Sequence, residues 1–179
     1  MQDIEFGGNV MHFHQTGGST DGRITLIEHT VAPVTMAGLP HVHHGEDELT
    51  LLLEGELTVL VGERLSSLSA GQSVWKPREV AHAFWNAGDR PARLLEIVAP
   101  AGLEHYFAAL SELFAGGGMP DLRQIAPLAA SHGLEFVGSS EYFASTAKVF
   151  ADAYGGPPDM ARWFSLVEEH FAQPASARR

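Results

Sequence analysis

Histidine and carboxylate residues cluster over residues 38–48, which read Gly-Leu-Pro-His-Val-His-His-Gly-Glu-Asp-Glu. His41 and His43 are two residues apart, so on a β-strand both imidazoles project from the same face. Glu48 follows five residues after His43, across a turn predicted at Gly45. Two imidazoles and one carboxylate that converge on a point form a ligand set for Fe(II), Mn, Ni, Co or Zn. The segment could instead be a polar, histidine-rich surface loop.

A second segment, residues 71–86, contains His82 on a short predicted strand. A single histidine on such a strand most often packs in a core with its hydrogen bonds satisfied. Together, however, the two segments resemble the paired motifs of the cupin superfamily, in particular its small metal-binding members of the quercetinase-like, cupin-2 type. The first motif reads His-x-His-x4-Glu-x6-Gly and the second reads Gly-x5-Pro and then His-x3-Asn; they match at His41, His43, Glu48 and Gly55, and at Gly71, Pro77, His82 and Asn86.

Two positions depart from the motifs. Glu79 stands where the second motif usually has glycine, and Thr35 stands where the first motif has its leading glycine, although Gly38 lies nearby. Both are turn positions, so we expect an effect on local backbone shape and none on metal binding. The resemblance covers residues 23–99 and is specific for the fold but not for the reaction, because one fold serves many functions.

The resemblance implies a mainly β protein with a single cupin β-barrel (jelly roll), to which the helical spacing after Pro100 adds a C-terminal α-helical extension. It implies one divalent transition metal ion (Fe, Mn, Ni, Co or Zn) with one or two coordination positions open to water, dioxygen or a chelating substrate. Its ligands would be His41, His43, Glu48 and His82. Glu48 could also act as a catalytic base. Cupins commonly pair through edge strands, so we expect a homodimer.

Other residues near the motifs are assigned by strand parity. His44 and Asp47 have the opposite parity to His43 and Glu48 and should point away from the metal. Phe84 and Asn86 share the parity of His82 and are candidates for lining the cavity, although Asn86 is more often a strand-end residue. Trp85 should pack outside the barrel under a helix.

A second His-x-His pair, His12 and His14, has no carboxylate or third histidine at a useful spacing. We therefore interpret both as ordinary strand or loop histidines. The remaining histidines sit in ordinary patterns and receive the same structural interpretation; they are His29, His105, His132 and His170.

The first hundred residues predict short strands separated by glycine and proline. Strands are predicted at 23–31, on either side of Gly55 within 48–61, and at 73–75, 82–85 and 93–98. Leu51, Leu52 and Leu53 are apolar at both parities, which predicts a strand covered on both faces.

Helical spacing of apolar residues begins after Pro100. It predicts helices at 103–114, 122–132, 140–154 and 158–171. We therefore predict a cupin β-barrel domain with N-terminal strands at residues 1–102. A helical extension at 103–179 would pack on the barrel or across a dimer interface and close the pocket mouth.

Composition limits the possible partners. The 179 residues have a formal net charge of −11, which argues against nucleic acid or an anionic membrane surface, since both attract positive proteins. There is no cysteine, which excludes disulfides and thiolate ligands. No signal peptide and no apolar run of the roughly 20 residues that a membrane helix needs is visible, so a cytoplasmic protein is expected.

Three classes of function remain open at this point. The first, slightly favoured, is a dioxygenase acting on a small chelating enol or phenolic substrate. The second is a non-redox isomerase, lyase or cyclase that uses the metal as a Lewis acid. The third is a binding module that holds a metal or a small ligand without turnover.

Overall fold

The computed structural model describes residues 3–6, 8–115 and 122–137. The helices predicted at 140–154 and 158–171 lie outside these ranges. Within them, the elements in chain order are β1 (Ile4–Phe6), β2 (Asn9–Gln15), β3 (Thr25–Val31), β4 (Thr35–His43), β5 (Asp47–Glu54), β6 (Glu56–Val61), β7 (Arg64–Ser69), β8 (Ser73–Lys76), β9 (His82–Asn86), β10 (Ala92–Ala99), α1 (Leu103–Phe114), α2 (Leu122–Ser131) and β11 (Leu134–Phe136).

The strands form two antiparallel sheets. One has the order β1-β2-β3-β10-β5-β8 and the other β11-β4-β9-β6-β7. Side chains from both sheets meet in a shared core, where Val31, Leu52 and Leu94 of the first sheet cluster with Leu57 and Val59 of the second. The protein is therefore mainly β with a jelly-roll arrangement, as predicted, but the ladders of the described residues form two facing sheets and do not close into one barrel.

Gly55 separates β5 from β6, as the sequence predicted. Its φ is +81°, and a Cβ at this position would lie 2.8 Å from the carbonyl oxygen of Pro91. Both the left-handed backbone and the close approach of a neighbouring chain segment therefore require glycine here.

Strand β5 is fully buried on one face only, which differs from the prediction. Glu48, Thr50 and Leu52 are buried, whereas Leu49 and Leu51 are half-buried. Trp75, which pairs with Leu49 in the ladder, is 54% exposed on the same outer face. The helices α1 and α2 do not provide the second cover, because their apolar faces line an internal cavity instead.

The region after Pro100 contains the two predicted helices and one strand that was not predicted. Strand β11 follows Gly133 and extends the second sheet, where Leu134 pairs with His43 and Phe136 with His41. Three residues are too few for a strand pattern to stand out beside two helices. None of the helices in the described ranges is long and apolar enough to cross a bilayer.

Candidate metal centre

The structure brings the four predicted ligand residues together. His41 and His43 lie at the end of β4, Glu48 lies in β5, and His82 begins β9, where it pairs with His41. All four side chains are buried, and one ligand atom from each lies within 4.8 Å of the others. Three separate strands therefore deliver three imidazoles and one carboxylate to a single point between the sheets.

The inner nitrogens of the imidazoles face one another and the carboxylate. His43 Nε2 lies 3.1 Å from His41 Nε2 and 3.0 Å from Glu48 Oε1. His82 Nε2 lies 3.1 Å from Glu48 Oε2. Nitrogen lone pairs this close together need a proton or a cation between them, so the geometry suits a positive ion at the centre.

Backbone carbonyl groups hold the outer nitrogens of two of the imidazoles. His41 Nδ1 donates to the carbonyl oxygen of Leu39, and His82 Nδ1 donates to that of Val80 at 3.0 Å. These hydrogen bonds keep the proton on Nδ1 and leave the Nε2 lone pair of both residues free for a metal. His43 Nδ1 makes no hydrogen bond to the described residues but lies 3.4 Å from the carboxylate of Glu46, which favours a proton on this nitrogen as well. The residues present therefore fit a divalent transition metal ion.

The pKa values of two of the histidines also fit a cation at the centre of the cluster. Burial, together with His82 and His43, lowers the pKa of His41 well below its usual value. Burial also lowers the pKa of His43, but Glu48 and Glu46 outweigh it and raise that pKa to about 9. One imidazole is thus held neutral while its neighbour keeps a proton beside Glu48. A bound metal ion would take the place of that proton, because ligand histidines must be neutral.

Part of the sequence, which includes all four clustered residues, matches a known protein family. Residues 27–98 match the family described as Cupin domain. Residues 27–98 therefore form a cupin domain, and this part of the chain belongs to the cupin superfamily. No curated protein matches the sequence.

Solved structures show the same cupin fold at low identity. KdgF from a Halomonas species is 13% identical with a TM-score of 0.52, over 59% of this chain and 91% of that one. A mutant of the oxalate decarboxylase OxdC from Bacillus subtilis is 23% identical with a TM-score of 0.51, over 57% of this chain and 28% of the longer enzyme. At such identities the likeness concerns the fold alone.

In this cupin, a buried lysine that the sequence analysis missed contacts the predicted ligand Glu48. Lys76 of β8 is fully buried, and its Nζ lies 2.6 Å from Glu48 Oε2 and 2.7 Å from Glu96 Oε1. Thr50 Oγ1 donates a hydrogen bond of 2.8 Å to the same Glu96 oxygen. Glu48 Oε2 therefore contacts both the ammonium group of Lys76 and the imidazole of His82, while Glu48 Oε1 contacts the imidazole of His43.

This lysine sets the charge of the carboxylate. Burial raises the pKa of Glu48, but Lys76 and His43 outweigh it and hold that pKa well below its usual range. Burial lowers the pKa of Lys76, and Glu48 and Glu96 outweigh it in turn, so that this pKa is raised. Burial raises the pKa of Glu96. Glu48 is thus an anion fixed in place, as a metal ligand must be.

The cluster opens onto a cavity of about 180 Å³. Besides His41, His43 and Glu48, its polar wall residues are Asn9, His29 and Glu96. The helices and β11 supply an apolar wall made of Leu103, Tyr106, Phe107, Leu110, Phe114, Ile125, Leu134 and Phe136. The described C-terminal elements α1, α2 and β11 therefore form one wall of the cavity, and closure of the pocket mouth by the extension stays a prediction.

Phe84 and Trp85 lie where their parity predicted, whereas Asn86 does not line the cavity and has the strand-end role that the sequence favoured for it. Phe84 lines the cavity, and a Cβ at Gly38 would come within 2.9 Å of its ring, so glycine is needed there. Asn86 is a strand-end residue whose amide donates to three carbonyl oxygens, those of Val31, Ala32 and Arg90. Trp85 is 1% exposed and belongs to the core cluster that also contains residues of α1 and α2.

The remaining polar residues near the motifs lie outside the cluster. His44 contacts Glu79 at 3.0 Å and Glu135 at 3.2 Å on the surface. Asp47 accepts hydrogen bonds from the backbone and the guanidinium of Arg78. His12 pairs with Asp3 and His14 with Glu28, at 2.6 and 2.8 Å.

The two departures from the motifs affect the backbone. Glu79, at the position of the motif glycine, has φ of +62°, which a side chain rarely adopts. Its N–H donates to the carbonyl oxygen of His43 at 2.8 Å. Near the first departure, Val34 rather than Thr35 has a positive φ, of +51°. The four ligand side chains still converge, so the departures change turns and leave the cluster intact.

Proposed function

We propose that this cupin is a metal-dependent dioxygenase that acts on a small chelating enol or phenol, with His41, His43, Glu48 and His82 as the metal ligands. The observation that supports it best is a buried three-histidine, one-carboxylate cluster opening onto a largely apolar cavity. When bound, a divalent metal supplies Lewis acidity and, if redox-active, electron transfer to dioxygen. The protein supplies ligand geometry, a proton acceptor and exclusion of water.

Glu48 is the proposed proton acceptor. Its contact with Lys76 lowers its pKa, so it is a weak base. A weak base accepts a proton efficiently only from an acidic group. Enols and phenols are far more acidic than alcohols or simple carbon acids, and more so when their oxygen binds a cation. The Lys76–Glu48 contact therefore favours this substrate class.

The size of the cavity limits the substrate. Its volume of about 180 Å³ is close to the roughly 150 Å³ of an engineered cavity that binds benzene. The apolar side chains of α1, including Phe107 and Leu110, complete the wall opposite the polar cluster. A substrate built on one ring, or an enol of similar size, fits this space with little room for water.

Elemental analysis of the purified protein, followed by oxygen uptake with small chelating enols and catechols, tests the proposal. We expect about one Fe, Mn, Ni or Co per chain and oxygen consumption that depends on the substrate. Glu48→Gln and His82→Ala should lose metal and activity while keeping the circular dichroism spectrum of the wild type.

Two other outcomes would redirect the assignment. Bound metal without oxygen consumption would favour a non-redox isomerase, lyase or cyclase, or a binding protein. No metal after reconstitution with each candidate ion would contradict the proposed site.

A further inference from the structure

His29 is a polar residue of the cavity wall that the proposed metal site does not use. It lies on β3 and is 3% exposed. It lines the same cavity as His41, His43 and Glu48. His29 therefore lies on the same sheet as Glu48 and on the sheet opposite the three histidines of the cluster.

The His29 ring is fixed on two sides. Its Nδ1 lies 3.2 Å from Asn9 Nδ2 and 3.3 Å from Asn9 Oδ1, so the amide of Asn9 binds this nitrogen in either tautomer. Its edge meets the face of Phe84, with ring centroids 5.9 Å apart and planes at 89°. A ring held in this way presents its second nitrogen in one direction.

That second nitrogen, Nε2, is buried and has no hydrogen-bond partner among the described residues. Buried polar atoms are nearly always paired, and an exception calls for a ligand or water to complete it. Most of the cavity wall around it is apolar. A molecule that fills the cavity is therefore in a position to supply the missing partner.

We propose that His29 Nε2 is a second anchoring point of the substrate, where it forms a hydrogen bond with an uncharged hydroxyl or carbonyl group. The proposal rests on the proposed function, because the other end of the same molecule would bind at the metal cluster. It narrows the substrate to a one-ring-sized apolar molecule with polar groups at two separate positions.

The chemistry of the ring supports an uncharged partner. Burial, with Lys76 adding to it, lowers the pKa of His29 to about 3, so the imidazole is neutral near pH 7. A neutral imidazole offers a hydrogen bond and no charge to balance a carboxylate or a phosphate. A hydroxyl can donate or accept, so it pairs with Nε2 in either tautomer.

The test compares ligands that differ in a single hydroxyl group. Resorcinol and 3-methylphenol form one pair, hydroquinone and 4-methylphenol another; each pair has one hydroxyl for the metal and either a hydroxyl or a methyl at the other end. Their affinities for the purified full chain are measured by calorimetry under argon, so that no oxygen is consumed. At least one diol should bind more tightly than its methyl analogue, and His29→Leu should reduce that preference about three- to tenfold, the range for one neutral hydrogen bond.

Two further variants serve as controls. Ile27→Val changes a neighbouring wall residue without changing its polarity, so it should lower the affinity for both members of a pair alike. His29→Gln keeps a hydrogen-bonding group and should retain part of the preference. An equal hydroxyl preference in the wild type and in folded His29→Leu, for both pairs, would overturn the proposal.

A spectroscopic measurement on the wild type does not depend on any variant. The ¹⁵N resonance of His29 Nε2 should shift when the preferred diol binds and stay in place with its methyl analogue. A bound diol that leaves this resonance unmoved would also overturn the proposal. Metal content is measured in the same samples: a wild type without metal would sink the dioxygenase proposal, while the hydroxyl preference at His29 would still be measurable.

Discussion

The chain has two His-x-His segments, of which one is buried and the other is exposed. His41 and His43 of β4 are buried in the four-residue cluster, whereas the side chains of His12 and His14 of β2 are 53% and 39% exposed. In both strands the two imidazoles share a face, as their spacing requires. On β2 the opposite face is the buried one and contributes Met11 and Phe13 to the core. Spacing sets which residues act together, and the neighbouring residues decide whether that face is inside.

A nearby carboxylate does not distinguish the two segments. His12 and His14 contact Asp3 and Glu28 as closely as His43 contacts Glu48. The outer pairs are solvated, so water satisfies what the carboxylates do not. His41 and His43 are buried and have little access to bulk water, and they converge with His82 on the carboxylate of Glu48. Burial with a third imidazole, rather than proximity to an acid, therefore distinguishes the candidate metal centre from the surface pairs.

Removing one histidine from each segment should give the largest contrast. We expect His43→Ala to lower metal affinity by more than the roughly 10- to 100-fold that loss of a ligand's supporting hydrogen bond costs. His14→Ala should leave the affinity unchanged, because its imidazole binds Glu28 at the surface. Competition with a chelator measures both variants, and equal losses would contradict the assignment of the site to β4.

The stability of the fold should depend on the buried contacts of Lys76 with Glu48 and Glu96 far more than on the surface contact of Arg78 with Asp47. Lys76→Met leaves Glu48 and Glu96 buried without their shared ammonium, so we expect the free energy of unfolding to fall by about 3–5 kcal/mol. Arg78→Met breaks the exposed pair with Asp47 and should have little effect. Urea unfolding measures both.

A double variant separates the effect of an uncompensated charge on the free energy of unfolding from the effect of a changed side-chain shape. Lys76→Met with Glu96→Leu replaces both Lys76 and Glu96 by apolar side chains and leaves Glu48 beside His43, whose raised pKa keeps it protonated, so part of the lost stability should be recovered. A double variant as unstable as Lys76→Met alone would mean that the loss of stability does not come from leaving Glu96 without its cation.

The smallest effect is expected at Glu79, which contacts both a residue of the buried cluster and a histidine on the surface. Its backbone N–H binds the carbonyl oxygen of His43, and its carboxylate binds His44 on the surface. Glu79→Ala and Glu79→Gly both remove the carboxylate, but only glycine adopts a φ of +62° without strain. Glu79→Gly should therefore be more stable than Glu79→Ala by about 1 kcal/mol in thermal unfolding. Equal stabilities would show that this backbone conformation is not strained.

The four clustered residues could be predicted because a short local pattern aligns His41, His43 and Glu48, and because the resemblance to the paired cupin motifs added His82. Two residues within a strand and a turn of known length determine where His41, His43 and Glu48 point. The turn at Gly55 followed from the same kind of local signal. Likewise, the helical spacing of apolar residues located α1 and α2.

The features that were missed depend on pairing between distant segments. Strand β8 has Trp75 outside and Lys76 inside, the reverse of what hydrophobicity suggests, because Lys76 lies opposite Glu48 in the ladder and beside Glu96 of β10. His29 was interpreted as structural because the cavity beside it exists only once α1 and α2 cover the sheets. Neither the parity of a four-residue strand nor the spacing of a single histidine contains this information.

The position of β11 bears on the order in which the protein assembles during synthesis. The four clustered residues lie between positions 41 and 82, and the ladders that align them are complete once β10 has paired with β5. The apolar wall of the cavity comes from the later elements α1, α2 and β11, and until β11 pairs with it β4 is an open edge. Because chains fold from the N-terminus as they emerge, the part of the chain that carries the cluster can form on the ribosome before that wall is made. An ion that binds at that stage meets the histidines before α1, α2 and β11 line the cavity, whereas one that binds later meets them after the wall has formed.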